Sequence, residues 1–172
     1  MTSEAEPLTL VLVGPMAAGK TSVGRRVARR LRVAFIDTDK RVVAEHGPIP
    51  EIFAAHGEAH FRELERAAVA KALAEGGVIS LGGGAVTDAG TRELLRAHPV
   101  VFLTVSPDAV ADRIRGSSRP LLAGEDPLAR WQAIFEERRG WYDEVSSTTF
   151  DTSRRPMQRI ADEIVAWRRE QR

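Results

Sequence analysis

"LVLVGPMAAGKTSVGRR", residues 10 to 26, is the stretch of the chain from which its fold can be read. The apolar run before Gly14 predicts a buried strand over residues 8–13, and the apolar spacing over residues 21–31 predicts an amphipathic helix. The turn that joins them runs from Gly14 to Gly19. A strand, a glycine-bearing turn and a helix in direct succession form the first unit of an alternating α/β fold.

The alternation continues, because further apolar runs that predict strands are separated by helical patterns. The further predicted strands cover residues 33–36, 78–81, 100–105 and 148–151. The further predicted helices cover residues 38–46, 49–56, 61–73, 88–97, 107–115, 127–142 and 156–168. Strands that are apolar on both faces and alternate with helices are typical of a parallel sheet between helix layers. We expect a three-layer α/β/α sandwich with a central five-stranded parallel sheet, whose ligands bind beyond the carboxyl ends of the strands.

The length and composition of the chain limit what it can be. Its 172 residues predict a single domain, residues 1–172, without repeats or linkers. A net charge of +1 argues against a nucleic-acid or membrane partner, and the absence of cysteine excludes thiol chemistry. The first ten residues lack the pattern of a signal peptide, so we expect a cytoplasmic protein. Lysine is rare among the 25 basic residues, which makes Lys20 more informative than most arginines.

Residues 14–21 fit the pattern G-x-x-x-x-G-K-[ST] between a strand and a helix. In such a turn the backbone N–H groups, the helix N-terminus and the charge of Lys20 all point at one anion. The Thr21 hydroxyl can ligate the Mg²⁺ that accompanies a nucleoside triphosphate. The pattern therefore predicts a phosphate loop that binds a nucleoside triphosphate. Ala17 and Ala18 fit this loop if their φ angles are negative, and a positive φ at either would strain it.

The segment "FIDTDK" places Asp37 and Asp39 two residues apart at the end of a predicted strand. In extended geometry their side chains share one face and look into the same cleft. One carboxylate could then help to hold Mg²⁺, while the other could accept a proton from an attacking hydroxyl group. The alternative is that one aspartate caps a helix and its neighbour has no role.

Six motifs, in this order along the chain, resemble those of the shikimate kinase family. They are "GPMAAGKT", "DTD", "IFAAHGEAHFRELE", "SLGGGAV", "RPLL" and "EERRGWY", and the resemblance runs from about residue 8 to residue 165. It implies a P-loop kinase fold with a mobile lid at about 113–126 and a substrate-binding helical segment at about 38–66. It also implies a monomer that transfers the γ-phosphoryl group of ATP to the 3-hydroxyl group of shikimate with Mg²⁺. Two alternatives stay open: a kinase of another small hydroxy acid such as gluconate, and a non-catalytic nucleotide-binding regulatory module.

The resemblance also implies roles for individual residues. The implied catalytic residues are Lys20, Asp39 and Arg119, with Asp39 as the base that also binds shikimate hydroxyl groups. The implied magnesium ligands are Thr21 and Asp37. The implied substrate contacts are Asp39, Phe53, Phe61, Arg62, Glu65, Gly82, Gly83, Gly84 and Arg138, with Arg62 and Arg138 clamping the carboxylate. The implied nucleotide contacts are Gly14, Ala17, Ala18, Gly19, Lys20, Thr21, Ser22, Arg113, Arg119 and Arg154.

The resemblance leaves alternatives at three places. They are Arg139 for Arg138 in the carboxylate clamp, Arg115 for Arg113 beside adenine, and Ser153 or Arg155 for Arg154 in the adenine loop.

Other features of the sequence carry less weight. His56 and His60 are four residues apart, but Gly57 breaks the helix between them and no third ligand follows, so we expect no metal site there. The three tryptophans, Trp131 among them, fall at helical positions where packing is the expected role. The basic stretch at residues 167–172 is expected to be a solvated helix end.

Overall fold

The computed structural model of the chain describes residues 7–114 and 126–172, so most of the predicted lid at about 113–126 lies outside the described residues. The strands are β1 Thr9–Val13, β2 Phe35–Asp37, β3 Gly77–Ser80, β4 Val100–Thr104 and β5 Thr148–Asp151. The helices are α1 Lys20–Leu31, α2 Thr38–His46, α3 Ile49–Glu75, α4 Ala89–Leu95, α5 Pro107–Ile114, α6 Pro127–Val145 and α7 Met157–Glu170. A short 3₁₀ turn covers Ala85–Thr87.

The five strands form one sheet in the order β2-β3-β1-β4-β5, and every pairing is parallel. β1 lies in the centre between β3 and β4, and all five of its residues are buried. The predicted five-stranded parallel sheet is therefore confirmed. Because β2, β3 and β1 are neighbours, their carboxyl ends meet at one edge of the sheet, where ligands of such folds bind.

The side chains of β1 alternate between two apolar layers. Leu10 and Leu12 belong to the layer that α1 and α7 cover, whereas Val11 and Val13 belong to the layer that α3, α4 and α6 cover. This alternation confirms the predicted three-layer sandwich. Among the described helices, none is long and apolar enough to cross a membrane.

β2 begins two residues later than predicted, and the first of those two residues, Val33, is bonded to the end of α1. Arg32 has a left-handed backbone with φ 57° and ψ 44°, and the N–H group of Val33 donates to the carbonyl of Ala28 at 3.0 Å. This hydrogen bond satisfies a carbonyl at the helix end, so the chain becomes extended only at Phe35.

Helix α3 joins two predicted helices, those over residues 49–56 and 61–73. Gly57 lies between them with φ 82° and ψ 171°, which is not helical, so the predicted break is a kink inside one long element. The kink changes the direction of the helix just before the segment that carries Phe61 and Arg62.

Candidate active site

The phosphate loop lies between β1 and α1 and has the backbone of a tight turn. Gly14 and Gly19 have φ angles of 152° and 88°. A Cβ atom on Gly19 would lie 2.8 Å from Met157 Cε, and one on Gly14 would collide with the carbonyl oxygen of Leu103. Both positions therefore require glycine for conformation and for space.

The strain in this loop lies at Ala17. Its φ of 68° is left-handed, whereas Ala18 is buried with an ordinary backbone. A left-handed conformation costs an alanine roughly 1–2 kcal/mol. Strained backbone persists only where the surrounding structure determines it.

Three successive carbonyl groups of the loop accept hydrogen bonds from side chains elsewhere in the chain. The pairs are Trp131 Nε1 with the Met16 oxygen at 2.8 Å, Arg113 Nη1 with the Ala17 oxygen at 2.7 Å, and Thr152 Oγ1 with the Ala18 oxygen at 2.7 Å. We call these three donors the loop anchors. They come from α6, α5 and the residue after β5, so the strained turn is fixed by three separate elements. Packing alone was expected for Trp131, and sequence reasoning missed Thr152.

Arg113, which the resemblance places beside adenine, faces the loop in the structure. Besides its bond to Ala17 it donates through Nη2 to the carbonyl of Thr152, and burial lowers its pKa. The alternative for adenine, Arg115, and the predicted catalytic Arg119 lie outside the described residues. Contact of these arginines with a nucleotide therefore stays a prediction.

Lys20 stands at the first position of α1, against the loop backbone. Its ammonium group donates to the carbonyls of Gly14 at 2.7 Å and Pro15 at 2.9 Å. The next residue, Thr21, is exposed, and the Ser22 hydroxyl accepts a hydrogen bond from Arg26. The predicted loop thus places one positive charge at the N-terminal, positive end of a helix, which is where a phosphate group binds.

The expectation that Asp37 and Asp39 share a face in extended geometry is wrong, because α2 begins at Thr38. Asp37 is the N-cap residue of α2 and accepts a hydrogen bond from the backbone of Lys40 at 3.1 Å. Asp39 lies in the first helical turn. The alternative that one aspartate caps a helix therefore holds for Asp37, but Asp39 has contacts of its own.

Asp39 lies close to the phosphate loop and to α3 at once. Burial and the neighbouring charge of Asp37 raise the pKa of Asp39, while the charges of Lys20 and Arg62 oppose that rise. A carboxylate that interacts with both cations must share a cleft with them. Asp39, Lys20 and Arg62 are thus brought together.

The glycine segment, residues 82–84, forms the floor of this cleft. A Cβ atom on Gly82 would lie 2.5 Å from Asp39 Oδ1, and one on Gly84 would lie 2.5 Å from Arg62 Nη2. The carboxylate and the guanidinium group therefore pack directly on bare backbone, two residues apart. Side chains at these positions would have to displace them.

The middle of the segment faces the phosphate loop and α6. A Cβ atom on Gly83 would lie 3.6 Å from the Gly14 oxygen and 3.7 Å from Arg138 Nη1. Tyr142, one helical turn beyond Arg138, donates its hydroxyl proton to the Gly83 carbonyl at 2.5 Å. Burial raises the pKa of Tyr142 to about 12, and the nearby Arg138 opposes the rise. Arg139, the alternative for the clamp, is exposed and lies 5.9 Å from the Phe135 ring.

Arg62 is held by a carboxylate on its own helix. Its Nη1 donates to Glu65 Oε1 at 2.8 Å, and Nη2 donates to Glu58 Oε1 at 3.3 Å. Glu65 is 1% exposed, and burial raises its pKa to about 7 although the charge of Arg62 opposes the rise. Arg62 Nε is buried and has no hydrogen-bond partner within residues 7–114 and 126–172. A buried guanidinium group with an unused donor is suited to receive an anion.

The remaining predicted residues include two phenylalanines of α3, and the ring of one of them, Phe61, lies 5.2 Å from Arg62 Cζ. Phe61 is buried with its ring 5.0 Å from that of Phe53, which is 36% exposed, and Arg154 is exposed. The rings of His56 and His60 are 4.8 Å apart, and the described residues contain no group of three side chains that could hold a metal ion. No ligand set for a metal formed by protein alone is therefore present in that part of the chain.

Comparisons with known proteins show the family of the chain. The family model for shikimate kinase matches residues 16–169. A shikimate kinase from Salinispora tropica is 50% identical over 159 residues, which cover 91% of this chain and 95% of the relative. One from Corynebacterium efficiens is 44% identical over 166 residues, which cover 94% of this chain and 96% of the relative.

Solved structures give the same result. Shikimate kinase from Acinetobacter baumannii in complex with shikimate superposes with a TM-score of 0.87 at 32% identity, covering 96% of this chain and 95% of that one. A gluconokinase from Sinorhizobium meliloti superposes with a TM-score of 0.64 at 23% identity, which shows a shared fold alone. The P-loop kinase fold and the resemblance drawn from the motifs are confirmed, and the chain belongs to the shikimate kinase family.

Proposed function

We propose that this protein transfers the γ-phosphoryl group of ATP to the 3-hydroxyl group of shikimate. The observation that carries the proposal is the convergence of Asp39, Arg62 and the phosphate loop on the glycine segment. A base, a grip for a carboxylate and a site for the triphosphate in one cleft are what in-line transfer to an acid-bearing alcohol requires. The relative from Acinetobacter baumannii binds shikimate, which supports this choice of acceptor.

Asp39 is the group proposed to receive the proton of the attacking hydroxyl. Burial and Asp37 raise its pKa, which makes it a stronger base than an exposed aspartate, while the charges of Lys20 and Arg62 oppose the rise. Its place on Gly82 holds the carboxylate in one position. As the oxygen–phosphorus bond forms, the proton passes to Asp39 and the bond from the γ-phosphorus to the bridging oxygen of ADP breaks.

The carboxylate of shikimate is proposed to bind between Arg62 and Arg138. Glu65 orients Arg62 through the bond at 2.8 Å, and the unpartnered Arg62 Nε adds a buried donor. Arg138 reaches the same floor beside Gly83. Two planar forks that converge on one carboxylate fix its orientation as well as its affinity.

The triphosphate is proposed to lie in the phosphate loop, with Lys20 against its transferring end. The backbone N–H groups of the loop and the N-terminus of α1 favour negative charge there. The loop anchors keep the strained turn in place before the nucleotide arrives, so less order has to be created on binding. Participation of Arg119 stays a prediction from the resemblance.

Thr21 and Asp37 are proposed to hold Mg²⁺. Thr21 is exposed at the start of α1, and Asp37 lies close enough to Asp39 to raise its pKa. Two hard oxygen ligands suit an ion that usually takes its other ligands from phosphate groups and water. When bound, Mg²⁺ neutralises charge on the phosphate oxygens.

An acceptor panel tests the proposal. Purified protein is assayed for ADP release with ATP, Mg²⁺ and shikimate, quinate or gluconate, and the product is identified by ³¹P NMR. We expect kcat/KM for shikimate to exceed that for gluconate by at least about 100-fold, because a rigid cyclic acid uses both arginines while an open chain must be ordered first. Preferred turnover of gluconate would make the chain a kinase of another hydroxy acid. Tight ATP binding without acceptor-dependent ADP release would instead indicate a regulatory nucleotide-binding module.

A further inference from the structure

A second charged cavity lies at the opposite edge of the sheet from the phosphate loop. Its volume is about 340 Å³, and it opens between the start of β1 and the ends of α1 and α7. Five of the seven described residues that line it are arginines, and none of the seven is acidic. The five are Arg30, Arg32, Arg168, Arg169 and Arg172. We call it the arginine cavity.

The arginine cavity is separate from the nucleotide site. Lys20 begins α1 at the phosphate loop, and Leu31 ends α1 at the wall of the cavity. Eleven helical steps of 1.5 Å place these two residues about 16 Å apart. None of the residues that line the cavity belongs to the loop, the glycine segment or the clamp, so an anion bound there would not compete with ATP.

Positive charge in the cavity exceeds what the protein itself balances. Among the five arginines, only Arg30 forms an ion pair within the described chain, with Asp162 at 2.7 Å. The C-terminal ends of α1 and α7 each add roughly half a negative charge. Together these terms compensate only part of the five charges. The need to neutralise two helix ends therefore does not explain why five arginines line the cavity.

Of the five arginines, Arg30 and Arg168 are half-buried, whereas Arg32, Arg169 and Arg172 are exposed. Arg168 is half-buried and its Nε lies 3.4 Å from the carbonyl oxygen of Thr9. Burial and the charge of Arg172 lower the pKa of Arg168, which means that the charged form is destabilised where it stands. The backbone of Arg32 has a left-handed conformation at the end of α1. An anion that binds between positive charges held close together lowers their repulsion energy.

We propose that the arginine cavity binds a small polyanion that carries phosphate groups. Guanidinium groups bind phosphate and carboxylate oxygens in pairs, and five arginines around one cavity suit a ligand that carries several negative charges. A concave site of about 340 Å³ suits a molecule of the size of an organic triphosphate. The chain as a whole carries a net charge of only +1, so it lacks the wide positive surface on which a nucleic acid lies.

An NMR titration with tripolyphosphate tests this proposal. The full-length ¹⁵N-labelled protein is first saturated with Mg²⁺ and a non-hydrolysable ATP analogue, so that the phosphate loop is occupied. We expect saturable shifts of the amides of Leu31, Arg32 and Arg169, with one binding event, while the amides of residues 14–21 stay in place. No saturable shift at those three amides up to about 1 mM tripolyphosphate, the level of weak binding, would overturn the proposal.

A matched pair of double variants locates the binding groups. R169Q/R172Q removes two exposed arginines of the cavity, and R130Q/R159Q removes two exposed arginines that do not line it, so both lose the same net charge. We expect the first to weaken tripolyphosphate binding at least about tenfold and the second less than about twofold, with kinase activity preserved in both. Equal weakening would show that net charge alone attracts the ion, and would contradict a built site.

Citrate separates phosphate from carboxylate chemistry at similar charge. We expect tripolyphosphate to bind at least about tenfold more tightly than citrate under identical salt, because its oxygens can meet several guanidinium forks at once. Citrate binding that is equally tight would contradict the assignment to phosphate groups.

Discussion

Replacing Gly82 by alanine should slow catalysis by displacing the carboxylate of Asp39. Gly82 is absent from the residues with positive φ, so alanine adds no backbone strain there. The new Cβ atom would lie 2.5 Å from Asp39 Oδ1 and 2.7 Å from Oδ2. Ordinary contact between carbon and oxygen is about 3.4 Å, so the carboxylate has to move by about 0.9 Å.

The size of the effect follows from that displacement. A misplacement of about 1 Å in a catalytic group can lower the rate about 100-fold. We therefore expect kcat of Gly82→Ala to fall about 10- to 100-fold, with KM for ATP within about twofold, because the change lies on the acceptor side of the cleft. The assay is steady-state ADP release with shikimate and ATP varied in turn.

Two controls make the result interpretable. Gly140→Ala adds a methyl group on α6 that meets nothing within 4 Å, so kcat should be unchanged and the helix slightly stabilised, by up to about 1 kcal/mol. The double variant Gly82→Ala/Asp39→Asn should turn over no more slowly than Asp39→Asn alone, since both changes remove the same function. A kcat for Gly82→Ala within twofold of wild type, or fully additive losses in the double variant, would refute this reasoning.

Three further predictions concern the clamp, the loop and the buried acid. Arg62→Lys should raise KM for shikimate at least about tenfold with kcat little changed. The control Arg66→Lys, one turn away on α3, should leave KM for shikimate unchanged. An unaltered KM in Arg62→Lys would show that Arg62 does not belong to the clamp. Trp131→Phe leaves a carbonyl group of the phosphate loop without its donor, which costs about 1–3 kcal/mol, so ATP should bind roughly tenfold more weakly. Trp141→Phe serves as the control. Equal calorimetric affinities of Trp131→Phe and wild type for ATP would contradict the anchoring role. Because burial raises the pKa of Glu65 to about 7 in the folded protein, its contribution to stability is complete below about pH 4.5 and is lost as the pH rises through 7. Between pH 5 and pH 8 the free energy of unfolding of the unliganded protein, measured with urea, should therefore fall by up to about 3 kcal/mol more in wild type than in Glu65→Gln. Parallel pH profiles of the two proteins would contradict this prediction.

Local signals made the fold predictable. Apolar runs of strand length and helical spacing are properties of neighbouring residues, so the order of strands and helices was confirmed throughout the described chain. The phosphate loop and the glycine segment were also found by local pattern, because both need backbone that lacks side chains. Errors occurred at boundaries such as Phe35, where the end of α1 competes with the start of β2 for the same residues.

Long-range contacts made other parts of the site unpredictable from one sequence. Trp131 and Met16 are 115 residues apart, and Thr152 and Ala18 are 134 apart, so no spacing rule could relate them. The left-handed backbone of Ala17 was left open for the same reason, since the bonds that hold it come from distant elements. These contacts depend on how α5, α6 and β5 pack around the loop.

Asp39 shows how a residue can reach the predicted cleft by a geometry that differs from the predicted one. The sequence suggested an extended pair of aspartates, whereas Asp37 caps α2 and Asp39 lies in its first turn. The residue still reaches the cleft because α2 starts at the carboxyl end of β2, beside the strand that leads into the glycine segment. Asp39 therefore reaches the cleft because of its place at the carboxyl edge of the parallel sheet rather than because of its local conformation.

The central claim is that the Asp39 carboxylate takes the proton of a hydroxyl group presented to the phosphate loop. Turnover of Asp39→Asn with saturating shikimate and ATP, measured beside the calorimetric affinity for ATP, tests it most directly. The account predicts a kcat lower by about 10²–10⁴ with nucleotide affinity unchanged. Near-normal turnover in that variant would contradict it.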